Sequence, residues 1–135
     1  MYQKILVPIA FEQGRDTAKA LEVAHALAGE NAQIIGLHVV EEIPSYVAQY
    51  LPEGQISQNM HEIEAALRKK IDGDTDVEIR VIEGHAGHSI VEYAAAQKVE
   101  CIVIASHRPG FQDYFLGSTA ARVVRHAPCA VHVVR

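Results

Sequence analysis

Residues 101–135, CIVIASHRPGFQDYFLGSTAARVVRHAPCAVHVVR, restrict the fold more than any other stretch of the chain. An apolar run, Cys101 to Ala105, stops at a polar, turn-prone segment, Ser106-His107-Arg108-Pro109-Gly110. Gly117-Ser118-Thr119 then opens a stretch in which Ala120, Ala121, Val123 and Val124 recur at helical spacing, and a second apolar run follows from Ala130 to Val134. Strand, loop, Gly-Ser-Thr helix start and strand is the layout of an anion site beside the carboxyl end of a parallel sheet. A helix N-terminus there offers unpaired N–H groups and the positive end of a dipole. The phosphates of a nucleotide are the expected occupant.

The earlier part of the chain fits the same sheet. Residues 4–9 form a continuous apolar run, as expected of a strand buried on both faces, and Pro8 suits its exit, where a ladder donor is no longer needed. From about Asp16, the positions Ala18, Leu21, Ala24, His25 and Ala28 recur at helical spacing, and Gly29 is expected to stop that helix. Residues 33–40 (QIIGLHVV) read as a second strand, giving a β-α-β unit with a right-handed crossover. A long connection, about 41–57, carries Pro44, Tyr46, Tyr50, Pro52 and Gly54, with a helical turn expected around 47–51. Such a loop is either a flap over a site or a mobile connector, and both readings stand. Ile56, Met60, Ile63, Leu67 and Ile71 give a helical stripe ended by Asp72-Gly73, in which Met60 reads as core filler. Residues 77–82 (VEIRVI) alternate more cleanly and read as an edge strand. A helix bearing Ile90, Val91, Ala94 and Ala95 follows.

Five strands alternating with four helices predict an α/β fold. It is an open, doubly wound, parallel five-stranded sheet of order 3-2-1-4-5 with helices on both faces, in a single domain over residues 1–135. The order reverses between strands one and four. Their carboxyl ends are Pro8-Ile9-Ala10 and Ala105-Ser106-His107, so the ligand site expected from topology falls on the segment described first.

Charge and composition narrow the function. Twelve basic against 17 acidic residues, a formal charge of −5, disfavour broad nucleic-acid binding. No run approaches the length of a membrane span, and the apolar core of residues 1–8 is too short for a secretory signal, so a soluble cytoplasmic protein is expected. Cys101 and Cys129 lie in or beside apolar runs and match no metal spacing, as buried reduced thiols do. His85 and His88 are spaced i, i+3 but lack an identifiable third ligand, and read as a surface pair. His38 reads as a packed or hydrogen-bonded core residue, His126 as the end of the last helix and His132 as part of the last strand. No Ser-His-Asp or paired-carboxylate arrangement is visible, and no nucleophile has a base, so no catalytic residue is expected. Val131-His132-Val133-Val134 is too apolar for a bare sheet edge, and is covered either by the chain itself or by another copy.

Several fragments, in order over the whole length, resemble the universal stress protein family. They are Lys4-Ile5-Leu6-Val7-Pro8, Leu37-His38-Val39-Val40, Gly117-Ser118 and Val124-Arg125-His126-Ala127-Pro128-Cys129 with the Val-rich strand after it. Ala105-Ser106-His107-Arg108-Pro109 with Tyr114-Phe115-Leu116-Gly117-Ser118 looks most like the small F/G-type bacterial members. The resemblance implies an adenine-nucleotide alpha-hydrolase-like fold, ATP or AMP binding with or without magnesium, and a homodimer through the last strand, Val131, His132, Val133 and Val134. Nucleotide-binding members carry the pattern G-x2-G-x9-G-[ST], whose glycines let backbone N–H groups approach phosphates. Here Gly117 and Ser118 match. Ala105 stands at the first glycine, Arg108 at the second, and the interval to Gly117 is one residue shorter. Ala10 stands where members usually have an aspartate near the nucleotide, which weighs against magnesium-assisted hydrolysis.

The site expected from residues and resemblance together has three parts. Pro8, Ile9 and Ala10 end strand one. Val39 and Val40 read adenine through their backbones. Ala105, Ser106, His107, Arg108, Gly110, Gly117, Ser118 and Thr119 stand at the phosphate end. Two alternatives stay open within it: Ser118 as an ordinary helix cap, and Arg108 as a solvated loop residue. At the level of function the alternatives are a nucleotide-binding stress sensor or regulator, a dimeric interaction protein with no nucleotide and an unknown protein partner, and a weak ATP hydrolase.

Overall fold

The structure is a computed structural model that describes residues 1–10, 14–71, 76–106 and 116–135, with residues 14–16 described by their backbone alone. The five strands are β1 (Tyr2–Pro8), β2 (Ala28–Glu41), β3 (Val77–Gly84), β4 (Cys101–Ala105) and β5 (Ala130–Val134). The helices are α1 (Gly14–Leu27), α2 (Ser45–Ala48), α3 (Gln55–Lys70), α4 (Ala86–Ala96) and α5 (Ser118–His126). All ladders are parallel, in the order β3-β2-β1-β4-β5.

β1 shows why continuous apolar runs mark this sheet. Ile5, Leu6 and Val7 are each fully buried, and consecutive side chains point to opposite faces. Ile5, Val7 and Ile9 pack with Ile34, Ile79 and Val103 under Ala20, Leu21 and Ala24 of α1 and Leu67 of α3. Leu6 packs on the other side with Ile35, Leu37 and Ile102 under Ile90 and Ala94 of α4 and Ala120 and Val123 of α5. Right-handed crossovers dictate this division, because the chain steps one way along the sheet from β1 to β3 and then the other way to β4 and β5. Each fully buried Leu, Ile or Val contributes about 1.5–3 kcal/mol relative to exposure.

Two details depart from the sequence expectations, and a third comes close to one. First, α1 stops at Leu27 and Gly29 lies inside β2, not at a helix end. β2 begins early because Ala28 pairs with Tyr2, and the register then slips before Lys4 pairs with Gln33, with Asn31 at φ 62°. A Cβ on Gly29 would stand 2.8 Å from the Met1 nitrogen and would run into the Gln3 side chain, so this early pairing requires glycine. Second, the stripe on α3 is only partly used. Leu67 and the following Ile71 are buried, whereas Ile56, Met60 and Ile63 are half-buried, because α3 flanks a sheet edge. Third, the 41–57 connection forms α2, close to the expected helical turn, with Tyr46 and Tyr50 exposed. The expected stop at Asp72-Gly73 lies outside the described residues.

Candidate functional site

β1 and β4 pair in register at Ile5↔Cys101 and Leu6↔Ile102. Both strands run on, to Pro8 and Ala105, without further recorded pairing between them. Beyond Leu6, β1 keeps its ladder to β2 (Val7↔Gly36, Pro8↔Leu37), and β4 keeps its ladder to β5 (Ile104↔Val133, Ala105↔Val134). The carboxyl ends of β1 and β4 thus lie where the strand order reverses, the position at which ligands enter doubly wound sheets.

The β1 wall is built from backbone groups. Pro8 has no N–H to offer, and the chain resumes bonding at Ile9, whose N–H donates to Leu37 O (2.8 Å). His38 Nδ1–H donates to Ile9 O (2.7 Å), which ties the ends of β1 and β2 together. That is the hydrogen-bonded role open to His38 from sequence. Ala10 O accepts from Lys70 Nζ (3.2 Å). Nothing in the spacing of α3 singles out Lys70; it lies 60 residues away and only the fold brings its ammonium here. Val39 and Val40 are half-buried in β2, paired with Ile82 and Glu83.

The β4 wall leads into α5. Ser106 is buried, and both its N–H (3.0 Å) and its hydroxyl (3.5 Å) donate to Val134 O. This side chain fastens β4 to β5, which the sequence did not reveal. Gly117 is the N-cap of α5, and its carbonyl accepts from Ala121 N–H (2.8 Å). Its φ of −60° and ψ of 153° suit any residue. Among the described residues, the nearest atom to a Cβ there is Ser106 O, at an ordinary 3.4 Å. Neither conformation nor these neighbours demand glycine. The missing side chain instead leaves the start of α5 open to close approach. Ser118 lies one residue inside the helix, after the N-cap Gly117, and among the described residues no side-chain hydrogen bond is made at that cap. Ser118 is exposed and Thr119 half-buried, and the first turn contains no acidic residue, so nothing of its own opposes an anion at the positive end of the helix. His107, Arg108 and Gly110 lie outside the described residues.

Among the described residues, the two thiols are shifted away from reactivity. Burial, and next the nearby Cys129, push the Cys101 thiol above its usual value, against a smaller opposing effect of the His132 backbone; burial also raises Cys129. Thiols so raised stay protonated at neutral pH. His85 lies 3.9 Å from Glu41 and His88 lies 3.1 Å from Glu92, both exposed. Among the described residues no three His, Cys, Asp or Glu side chains group as metal ligands, and no helix is long and apolar enough to cross a membrane.

A five-stranded parallel sheet with this order and an open switch point is the fold on which comparison with known proteins converges. The model of the universal stress protein family matches residues 1–135, and the chain belongs to that family. A universal stress protein of Methanothermobacter thermautotrophicus is 31% identical, over 100% of this chain and 97% of that protein. Universal stress protein G of Salmonella typhimurium is 27% identical, over the full length of both. Among solved structures, a universal stress protein in complex with cAMP superposes with a TM-score of 0.71 at 20% identity, covering 99% of this chain and 97% of that one. The universal stress protein from Archaeoglobus fulgidus in complex with dAMP gives 0.59 at 18% identity, covering 99% and 98%. At such identities these two structures speak for the fold.

Proposed function

We propose that this protein binds an adenine nucleotide, ATP or AMP, in the crevice between β1 and β4, and works as a homodimeric, cytoplasmic stress sensor or regulator built as one domain over residues 1–135. The observation that carries this reading is the parting of β1 and β4 beside the open start of α5 at Gly117. Two universal stress proteins of the same fold were solved with the adenine nucleotides cAMP and dAMP, which supports the choice of ligand. Pro8 and Ile9 would frame the nucleoside, and Val39 and Val40 would read adenine through their backbones. Gly117, Ser118 and Thr119 would meet the phosphates with backbone N–H groups at a helix N-terminus, with the Ser118 hydroxyl as a further donor, while Ala105 and Ser106, the latter already bonded to Val134 O, would form the wall beside them. His107, Arg108 and Gly110 would complete that end, Arg108 through its charge. Ala10 brings no carboxylate for magnesium, so the reading rests on binding rather than hydrolysis. Dimerisation would use the outer edge of β5, from Val131 to Val134.

Native mass spectrometry and titration calorimetry with ATP and AMP test the proposal. The wild type should retain or take up one nucleotide per chain. Gly117→Val, compatible with the local backbone, should weaken binding at least about tenfold by covering the helix start. Wild-type protein with no retained nucleotide and no heat would overturn it. That outcome favours the second reading, a dimeric interaction protein without nucleotide, for which the absent carboxylate at Ala10 is the motivating observation.

A further inference from the structure

β3 ends the sheet on the side away from β5, and its outer rim is treated unevenly. Val77 O accepts from Arg68 Nη1 (2.7 Å), and Ile79 O accepts from Arg80 Nη1 (2.9 Å). Carbonyls two residues apart point the same way along a strand, so those of Val81 and Glu83 face the same rim. Among the described residues nothing donates to either. The amino-terminal half of the edge is capped by guanidinium groups, and the carboxyl-terminal half is open.

That open half borders an open trough of about 730 Å³ between the end of β3 and α4, lined by Ile82, Glu83, Ser89, Glu92, Tyr93 and Ala96 among others. The crossover from β3 to β4 explains it, because α4 leaves β3 and packs over the inner strands, so this flank of Ile82 has no helix above it. The floor is apolar, from Ile82, Tyr93 and Ala96, and the two charged lining residues are both carboxylates. Glu41 stands close by, opposite Gly84 in register, and is exposed. Around these carboxylates, Arg80 pairs with Glu78 (3.1 Å), His88 lies 3.1 Å from Glu92, His85 lies 3.9 Å from Glu41, and Ile43 N–H donates to Glu83 Oε1 (3.4 Å).

We propose that the open half of the β3 edge and this trough form a docking site for an extended, basic segment of a partner protein, which adds as a strand along Val81–Gly84. Its N–H groups would donate to Val81 O and Glu83 O, its apolar side chains would settle over Ile82 and Tyr93, and its Lys or Arg residues, on the opposite face, would meet Glu83, with Glu92 adding to the negative field at the mouth of the trough. Main-chain bonding supplies affinity and the alternating side chains supply selectivity, as in other strand-addition interfaces. The site lies apart from the β1–β4 crevice and does not depend on nucleotide.

The test is fluorescence anisotropy on the full chain with a labelled eight-residue peptide of alternating valine and lysine. Saturable binding is expected, weakened roughly tenfold in Glu83→Lys/Glu92→Lys, both exposed positions whose exchange should leave the unfolding midpoint unchanged. N-methylation of alternate peptide amides should abolish binding, and hydrogen exchange at residues 81–84 should slow when the unmodified peptide is added. Four results would each overturn the proposal: no saturable binding; equal binding of a valine–glutamate peptide; equal binding of the N-methylated peptide; or indifference to charge reversal. Slowed exchange at 81–84 that rises with protein concentration in the absence of peptide would do so too, because the edge would then pair with a second copy.

Discussion

β3 and β5 both terminate the sheet, yet their edges are finished differently. β3 carries Glu78, Arg80 and Glu83, and two arginines close over its first outward carbonyls. β5 reads Ala-Val-His-Val-Val, has no acidic residue, lysine or arginine, and among the described residues no side chain caps its outer rim. Charge and capping are standard defences of an edge that must stay unpaired; a bare apolar edge invites a partner strand. One edge is thus largely completed within the chain, whereas the other is left uncapped among the described residues, which suits the proposed dimer. Capping on β3 also stops halfway, and the trough begins where it stops.

The sharpest way to break this comparison is to put a charge on each edge. Val133→Lys should raise the dimer dissociation constant about a hundredfold, roughly 2.7 kcal/mol, by placing an ammonium in an apolar contact. Glu78→Lys on β3 should leave association unchanged. Sedimentation velocity reads both, and a dimer that survives Val133→Lys removes β5 from the interface.

Next in size is the end of β3. Gly84 has φ 156°, and a Cβ there would run into Ser89 Oγ. Gly84→Ala should lower stability by about 2 kcal/mol in urea unfolding, and adding Ser89→Ala should restore only part of it, because the backbone strain remains. A smaller effect is expected from Arg68→Ala/Arg80→Ala, about 1 kcal/mol or less, since the freed carbonyls face water. Light scattering should nevertheless rise with concentration as the edge opens.

The smallest effect concerns the β5 side in alkali. Burial raises the Cys101 thiol in the folded state from a usual value of about 9. The unfolded thiol therefore loses its proton first, so this contribution to stability is complete below pH 9 and is lost as pH rises through the folded value. Urea midpoints should fall above pH 9, and less steeply in Cys101→Ala.

Much of the fold was legible because β1, β2 and β4 are buried on both faces and cannot read as anything but continuous apolar runs. The cleaner alternation of residues 77–82 likewise announced an edge. Gly29 was misread because its role comes from the amino terminus packing against it, a contact between segments distant in sequence. The α3 stripe looked like five core positions, but periodicity gives the direction of a face and not the depth to which a neighbour covers it.

In the candidate site, the sequence located the switch point and the start of α5, since both follow from element order and the Gly-Ser-Thr signal. It could not foresee Lys70 on Ala10 O or the Ser106 hydroxyl turned to Val134 O, and it left open a hydrogen bond for His38 without naming Ile9 O as its partner. Hydrophobic periodicity and the handedness of crossovers act locally, so the sequence alone determined which elements form and in what order they lie. Where β1 parts from β4, which polar atoms are consumed by the scaffold and which edge is capped depend on register and on side chains arriving from distant elements. Those hydrogen bonds exist only once the sheet has closed, and only the tertiary structure decided them.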